Sequence, residues 1–279
     1  MKLNNHAKRV LSAIIGATVL IVFILKANKH LFACLILVCI VLGLKEFYHL
    51  LEFQKIFCFK YLGLLLGLFL ALVLSFLPVD PMILNFMLTA IIISLLLRAL
   101  SAATEKKTLN IQEMNGNIGG TLLGILYIPL CLSHLVLIRR MDHGCNRILF
   151  LLVIIWACDI GAYYTGKLLG KHLLCPTISP KKTIEGSIGG LIVSLIGAQV
   201  IRPCWWPQLS ILSCLLLSFF IAVFAQLGDL SESLLKRSAG VKDTGMIIPG
   251  HGGLLDRIDS LLFGAPVLFY YSRFLLRGR

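Results

Sequence analysis

The chain has 279 residues, 58% of them hydrophobic and 14% charged, with a mean hydropathy of +0.92 and a formal net charge of +13. A soluble domain carries about 25% charged residues, so this composition excludes a soluble globular fold and leaves no room for a large extramembrane domain. The apolar runs are continuous rather than alternating, which favours helices over a membrane barrel and predicts one all-α polytopic membrane domain over residues 1–279, a helical bundle.

Lys2, Lys8 and Arg9 precede an apolar run that reaches Leu25. It ends in Lys26-Ala27-Asn28-Lys29 with no small-residue cleavage site, so it reads as a retained first span. Further apolar runs predict spans at about 31–50, 61–77, 82–100, 118–138, 148–170, 185–202, 209–230 and 254–276, about nine in all with the first at 10–25. The second ends in the polar pair Lys45-Glu46, and the ninth begins with Asp256, Arg257 and Asp259. The spans within 1–110 carry no recognisable motif; the polar chemistry lies in 118–279.

With this arrangement Lys45, Lys55, Lys60, Arg98, Lys167, Lys181, Lys182, Lys236, Arg237 and Lys242 all fall on the side of the N-terminus. That bias predicts a cytoplasmic N-terminus and cytoplasmic loops at 171–184 and 231–253. In a membrane protein the positive charge suits anionic lipid and the cytoplasmic leaflet rather than nucleic acid. The nine cysteines form no CxxC pair and lie mostly in apolar runs, where they read as small apolar fillers.

Charges beside or within spans cost roughly 2.5–3.5 kcal/mol each on insertion scales, so a cluster of them marks a site. Asp159 sits deep in the sixth apolar run and requires a partner or a cation. Ser179, Lys181, Lys182 and Thr183 follow, offering hydroxyl and ammonium donors; positive-inside signalling explains the same lysines. Five of the 13 acids, Asp229, Glu232, Asp243, Asp256 and Asp259, then fall within one short stretch. On a helix Asp229, Glu232 or Ser233, and Lys236 share one face, suited to a metal at one end and a phosphate at the other. Arg237 and Lys242 add cationic groups. His251-Gly252-Gly253 forms a glycine-rich lead into the last helix, where backbone N–H groups favour anions. Asp256 and Asp259 are spaced to share a helix face, as two carboxylates of a Mg²⁺ site would. Helix ends emerging into water, a plain loop between spans, and an ion pair with Arg257 account for the same residues. The sequence has no P-loop and no zinc-type Cys/His spacing.

The run Ser233, Lys236-Arg237, Lys242-Asp243, Gly245, Ile248-Pro249, His251-Gly252-Gly253, Asp256-Arg257 and Asp259 resembles the signature of phosphatidate cytidylyltransferases, or CDP-diacylglycerol synthases, over residues 233–259. Asp159-x-Gly161-Ala162-Tyr163 and Ser179-Pro180-Lys181-Lys182-Thr183-x-Glu185-Gly186 are also similar to that family. The resemblance implies a transferase of phospholipid biosynthesis that condenses CTP with phosphatidate to CDP-diacylglycerol and pyrophosphate. It implies Mg²⁺, with a second cation left open, on carboxylates at Asp229 and Asp256, and Asp259 is expected to support them. Asp229, Lys236, Arg237, Asp256 and Arg257 are the expected catalytic set. Ser179, Lys181, Lys182, Thr183, Ser233, Lys242, Asp243, His251, Gly252 and Gly253 are expected to bind substrate, with Asp159 and Glu232 in support. The expected partners are CTP from water and phosphatidate from the bilayer, not nucleic acid, with a homodimer left open; the expected location is the inner cell membrane. The rival readings are a CTP-dependent transferase acting on another lipid phosphate or an isoprenoid, and a membrane transporter, although no internal repeat is visible.

Overall fold

The computed structural model describes residues 5–77, 81–105, 111–245 and 252–275. Helices dominate, and side-chain caps from Asn28, Thr183 and Ser210 close the starts of three of them. Helix α1 (Asn5–Lys26) leads into α2 (Lys29–Phe53), whose first turn is closed by the Asn28 side chain accepting from the Leu31 N–H at 2.8 Å. Helices α3 (Lys60–Phe76) and α4 (Pro81–Glu105) follow. Helix α5 (Ile111–Ile125) continues through a π-helical turn at Leu126–Leu130 into α6 (Cys131–Arg140). Pro129 lies within that turn; its ring carries no N–H and displaces the regular ladder.

Helix α7 (Gly144–Leu169) is joined to α8 (Ile184–Trp205) by a small antiparallel hairpin, β1 (Leu173–Cys175) and β2 (Ser179–Thr183), paired Leu173 to Thr183 and Cys175 to Ser179. Thr183 closes β2 and caps α8, accepting from the Gly186 N–H at 3.1 Å. The Glu185 carboxylate accepts the Lys171 N–H at 3.1 Å and the His172 N–H at 3.2 Å, clamping the hairpin's entry to its exit. Helix α9 (Ile211–Ser238) is capped by Ser210, which accepts the Ser213 N–H at 3.1 Å. Helix α10 (Leu255–Tyr270) ends in a second π turn at Tyr271–Leu275.

The chain is thus an all-α, multi-pass membrane bundle with one short hairpin that the apolar pattern did not announce. Among the described residues six helices are long and apolar enough to cross a membrane: Lys29–Phe53, Met82–Ala102, Glu113–Arg140, Gly144–Leu169, Ile184–Trp205 and Ile211–Ser238. That is fewer than the expected nine or so. Helix α3 has only 17 residues, α10 has 16 with an acidic first turn, and the apolar part of the first helix that can be assessed is short.

The main core runs through α2, α6, α7, α9 and α10, with Leu44, Phe47, Phe150, Leu151, Ile221 and Leu262 fully buried. A second cluster joins α3, α4 and α5 through Leu70, Leu74, Met87, Ile91 and Ile125. Lipid tails are as apolar as leucine, so close packing rather than water exclusion holds such helices together. The α7–α8 pair shows this most clearly. A Cβ on Gly190 would stand 2.7 Å from the Cys158 carbonyl oxygen, and one on Gly161 would stand 2.9 Å from that of Gly189. Only glycine permits this backbone approach. Met82, Phe86, Leu97 and Leu100 on α4 and Ile196 and Val200 on α8 remain exposed, as lipid-facing side chains would be.

Candidate functional site

Asp229, Glu232, Ser233 and Lys236 occupy successive turns near the end of α9, while Asp256 and Asp259 open α10. The two helices meet at Gly228, where an added Cβ would lie 2.6 Å from the Asp259 carbonyl oxygen. This contact sets the acids of α9 against those of α10. Carboxylate oxygens of Asp229, Glu232 and Asp259 all lie within 4.8 Å of one another. Glu232 is buried; one of its oxygens stands 2.5 Å from the Lys236 ammonium, and the other has no hydrogen-bond partner. Three clustered oxygens, one of them buried and unpartnered, are a donor set that suits a hard divalent cation. Ser233 donates weakly to Asp229 at 3.4 Å.

Asp256 adjoins Glu232, with which it shares Lys236, but is not one of those three clustered acids. One of its oxygens accepts from Lys236 at 2.7 Å. The other accepts from the Thr244 N–H at 2.9 Å and the Gly253 N–H at 2.9 Å, and lies 3.0 Å from the Thr244 hydroxyl. Asp256 therefore gathers the loop between α9 and α10 onto the start of α10. Gly252 takes φ +85°, a backbone conformation that suits glycine. Asp243 lies beside it, while Lys242 is exposed. His251, with the rest of 246–251, lies outside the described residues.

The opposite wall comes from α7, the hairpin and α8. A cavity of about 670 Å³ is lined by Asp159, Ser179, Lys181, Lys182 and Thr183 together with Gln226 and Asp229. Lys182 reaches across it to pair with Asp229, and Asp159 lies within electrostatic range of both. Arg237 does not line this cavity. Its guanidinium donates to the Ile178 carbonyl at 3.3 Å and the Val241 carbonyl at 3.2 Å, tying the hairpin turn to the end of α9. Arg257 is exposed on α10 and likewise lies off the cavity lining. A second, wholly apolar cavity of about 640 Å³ runs along α9 and α10 beyond Asp259, lined by Phe220, Phe224, Phe263, Tyr270 and Phe274.

Sequence reasoning placed no function on Glu46 or Thr244, yet both are buried at this site. The Glu46 carboxylate accepts the Leu254 N–H at 2.9 Å and the Leu255 N–H at 2.8 Å, and lies 3.1 Å from the Thr244 hydroxyl. The only signal was an acid at the end of an apolar run. Glu232, which the sequence offers on the same helix face as Asp229 and in support of the site, is clustered with Asp229 and Asp259.

The model of the cytidylyltransferase family matches residues 7–275 of this chain. A phosphatidate cytidylyltransferase of Bacillus subtilis is 45% identical over 154 residues, 55% of this chain and 57% of that protein. Those of Staphylococcus saprophyticus and Staphylococcus haemolyticus are 44% and 46% identical over 147 residues, 53% of this chain and 56% of each relative. The chain thus matches a little over half the length of these curated relatives.

Proposed function

The chain belongs to the cytidylyltransferase family, and we propose that it condenses CTP with phosphatidate, giving CDP-diacylglycerol and pyrophosphate. The observation that carries this reading is the Asp229–Glu232–Asp259 triad, paired with Lys182 and Lys236 and joined through Asp229 to a cavity that Ser179, Lys181 and Lys182 also line. A phosphate oxygen of phosphatidate attacks the α-phosphorus of CTP, and the bond from that phosphorus to the bridging oxygen of the β-phosphate breaks. The attacking phosphate is already an anion at neutral pH, so no strong base is required. The obstacle is bringing two polyanions together.

Asp229, Glu232 and Asp259 would hold Mg²⁺, which supplies charge that screens the phosphates and favours departure of pyrophosphate. Lys181 and Lys182 present ammonium groups to phosphate oxygens, and Ser179 and Thr183 add hydroxyls. Lys236 keeps Glu232 and Asp256 compensated in a site where unpaired charge is costly. Arg237 fixes the hairpin, so that the lysines face α9 in one geometry. The aromatic cavity beyond Asp259 offers an apolar bed for acyl chains. In this reading α1, α3 and α10 also cross the bilayer, giving about nine spans. The loops at 171–184 and 231–253 face the cytoplasm of an inner-membrane protein, where CTP is available.

The test is purified protein in detergent with radiolabelled CTP, phosphatidate and Mg²⁺. The expected result is a lipid-soluble labelled product and release of pyrophosphate. Labelling of another lipid phosphate or an isoprenoid, with none of phosphatidate, would overturn the substrate assignment.

A further inference from the structure

We propose that Glu46 is a positioning residue for this reaction. From α2, within spans that carry no recognisable motif, it fixes the first turn of α10 and Thr244, and through them the place of Asp256. The inference rests on the proposed CTP-dependent chemistry.

The first N–H groups of any helix lack partners within the helix. In α10 the capping position is Leu254, which has no side-chain acceptor. Glu46 takes over that duty from 208 and 209 residues away, accepting the Leu254 and Leu255 N–H groups on its two oxygens. Its charge also faces the positive end of the helix. A carboxylate only 5% exposed among apolar helices is costly unless it is satisfied, and these bonds satisfy it.

A second observation comes from the loop. A Cβ on Gly245 would lie 2.9 Å from one Glu46 oxygen, and a Cβ on Gly253 would lie 2.7 and 2.8 Å from the two. The backbone on both sides of 246–251 therefore closes directly onto this carboxylate. The Thr244 hydroxyl stands between Glu46 at 3.1 Å and Asp256 at 3.0 Å, while the Thr244 N–H also binds Asp256. Asp256 in turn holds Lys236, and Lys236 holds Glu232 of the acid triad. The chain of contacts from α2 to the triad is continuous, and Glu46 contacts neither the triad nor the lysines and hydroxyls proposed to meet the phosphates.

The experiment measures labelled-lipid formation by wild type, Glu46→Gln, Thr244→Val and Thr244→Ser, per folded molecule, with Mg²⁺ varied. Wild type lacking all CTP-dependent activity would defeat the underlying reading, a different outcome from those that follow. Glu46→Gln keeps the size but presents an amide donor where two acceptors are needed. Its kcat is expected to fall on the order of tenfold to a hundredfold, because small displacements of reacting groups have effects of that size. The Mg²⁺ concentration giving half-maximal rate is expected to rise. A purely structural role would lower folded yield or thermal midpoint and leave both quantities unchanged per folded molecule, and that result overturns the proposal. Should Glu46→Gln not fold, the Thr244 pair decides. Thr244→Val should lower turnover and Thr244→Ser should regain it. Equal impairment of both, or wild-type turnover in Thr244→Val, overturns the proposal.

Discussion

Replacing Lys236 by Met keeps an unbranched side chain and deletes its charge. In the structure the ammonium lies 2.5 Å from Glu232 and 2.7 Å from Asp256, with the lysine side chain 13% exposed and the carboxylates 1% and 6%. At an effective dielectric of about 20, each contact corresponds to roughly 6 kcal/mol of gross attraction. Most of that is offset by desolvation. Removing one partner of a buried pair nevertheless costs about 3–5 kcal/mol, because the remaining charge stays buried and uncompensated. For a chain of this size each kcal/mol moves the thermal midpoint by about 2–4 °C, so Lys236→Met should unfold about 6–20 °C below wild type. The assay is thermal unfolding in detergent without Mg²⁺, followed by tryptophan fluorescence. Lys182→Met is the internal comparison: it breaks the Lys182–Asp229 pair, whose side chains are each 31% exposed, and should lose clearly less. A loss at Lys236 under about 3 °C, or one no larger than at Lys182, would refute the argument that Lys236 compensates buried charge.

Asp259→Asn should abolish turnover and yet raise the midpoint of the metal-free protein by a few degrees, about 1 kcal/mol, since it relieves repulsion among three oxygens within 4.8 Å. A lower midpoint would contradict that reading of the triad. Gly253→Ala places a methyl 2.0 Å from the Thr244 hydroxyl oxygen and 2.7 Å from a Glu46 oxygen, and should cost about 1–3 kcal/mol together with most of the activity; a wild-type midpoint with wild-type turnover would show that the loop yields freely. Arg237→Lys cannot reproduce both bonds to Ile178 and Val241, so turnover should drop and amide hydrogen exchange should quicken across residues 173–183. Unchanged exchange would release Arg237 from bracing the hairpin.

The sequence disclosed those parts of the fold that depend on local composition. Apolar runs at 31–50 and 148–170 correspond to α2 and α7 because length and hydropathy are properties of a single segment. The spacing of Asp229, Glu232 and Lys236 placed them on one helix face, as the fold does. The hairpin escaped notice because Ser179-Pro180-Lys181-Lys182-Thr183 has no apolar alternation; its geometry comes from Glu185 gripping Lys171 and His172. The π turn at Leu126–Leu130 was hidden within an apolar run that looks continuous, with Pro129 its sole mark. The Glu46 bonds to α10 were illegible for a different reason. Periodicity reports neighbours a turn away, whereas this carboxylate answers N–H groups more than two hundred positions later.

The glycine-to-backbone contact of α7 with α8 sets one flank of the bundle apart from the other. At Gly161 and Gly190 one helix meets the backbone of the other with no room for an added methyl, so the pair has little freedom to slide there. The α9–α10 seam is built differently. It is pinned at Gly228 and Asp259, and farther along it borders the apolar cavity lined by Phe220, Phe263 and Tyr270. One flank of the bundle is thus closed by backbone contact between α7 and α8, while the other carries an aromatic-lined apolar cavity along α9 and α10.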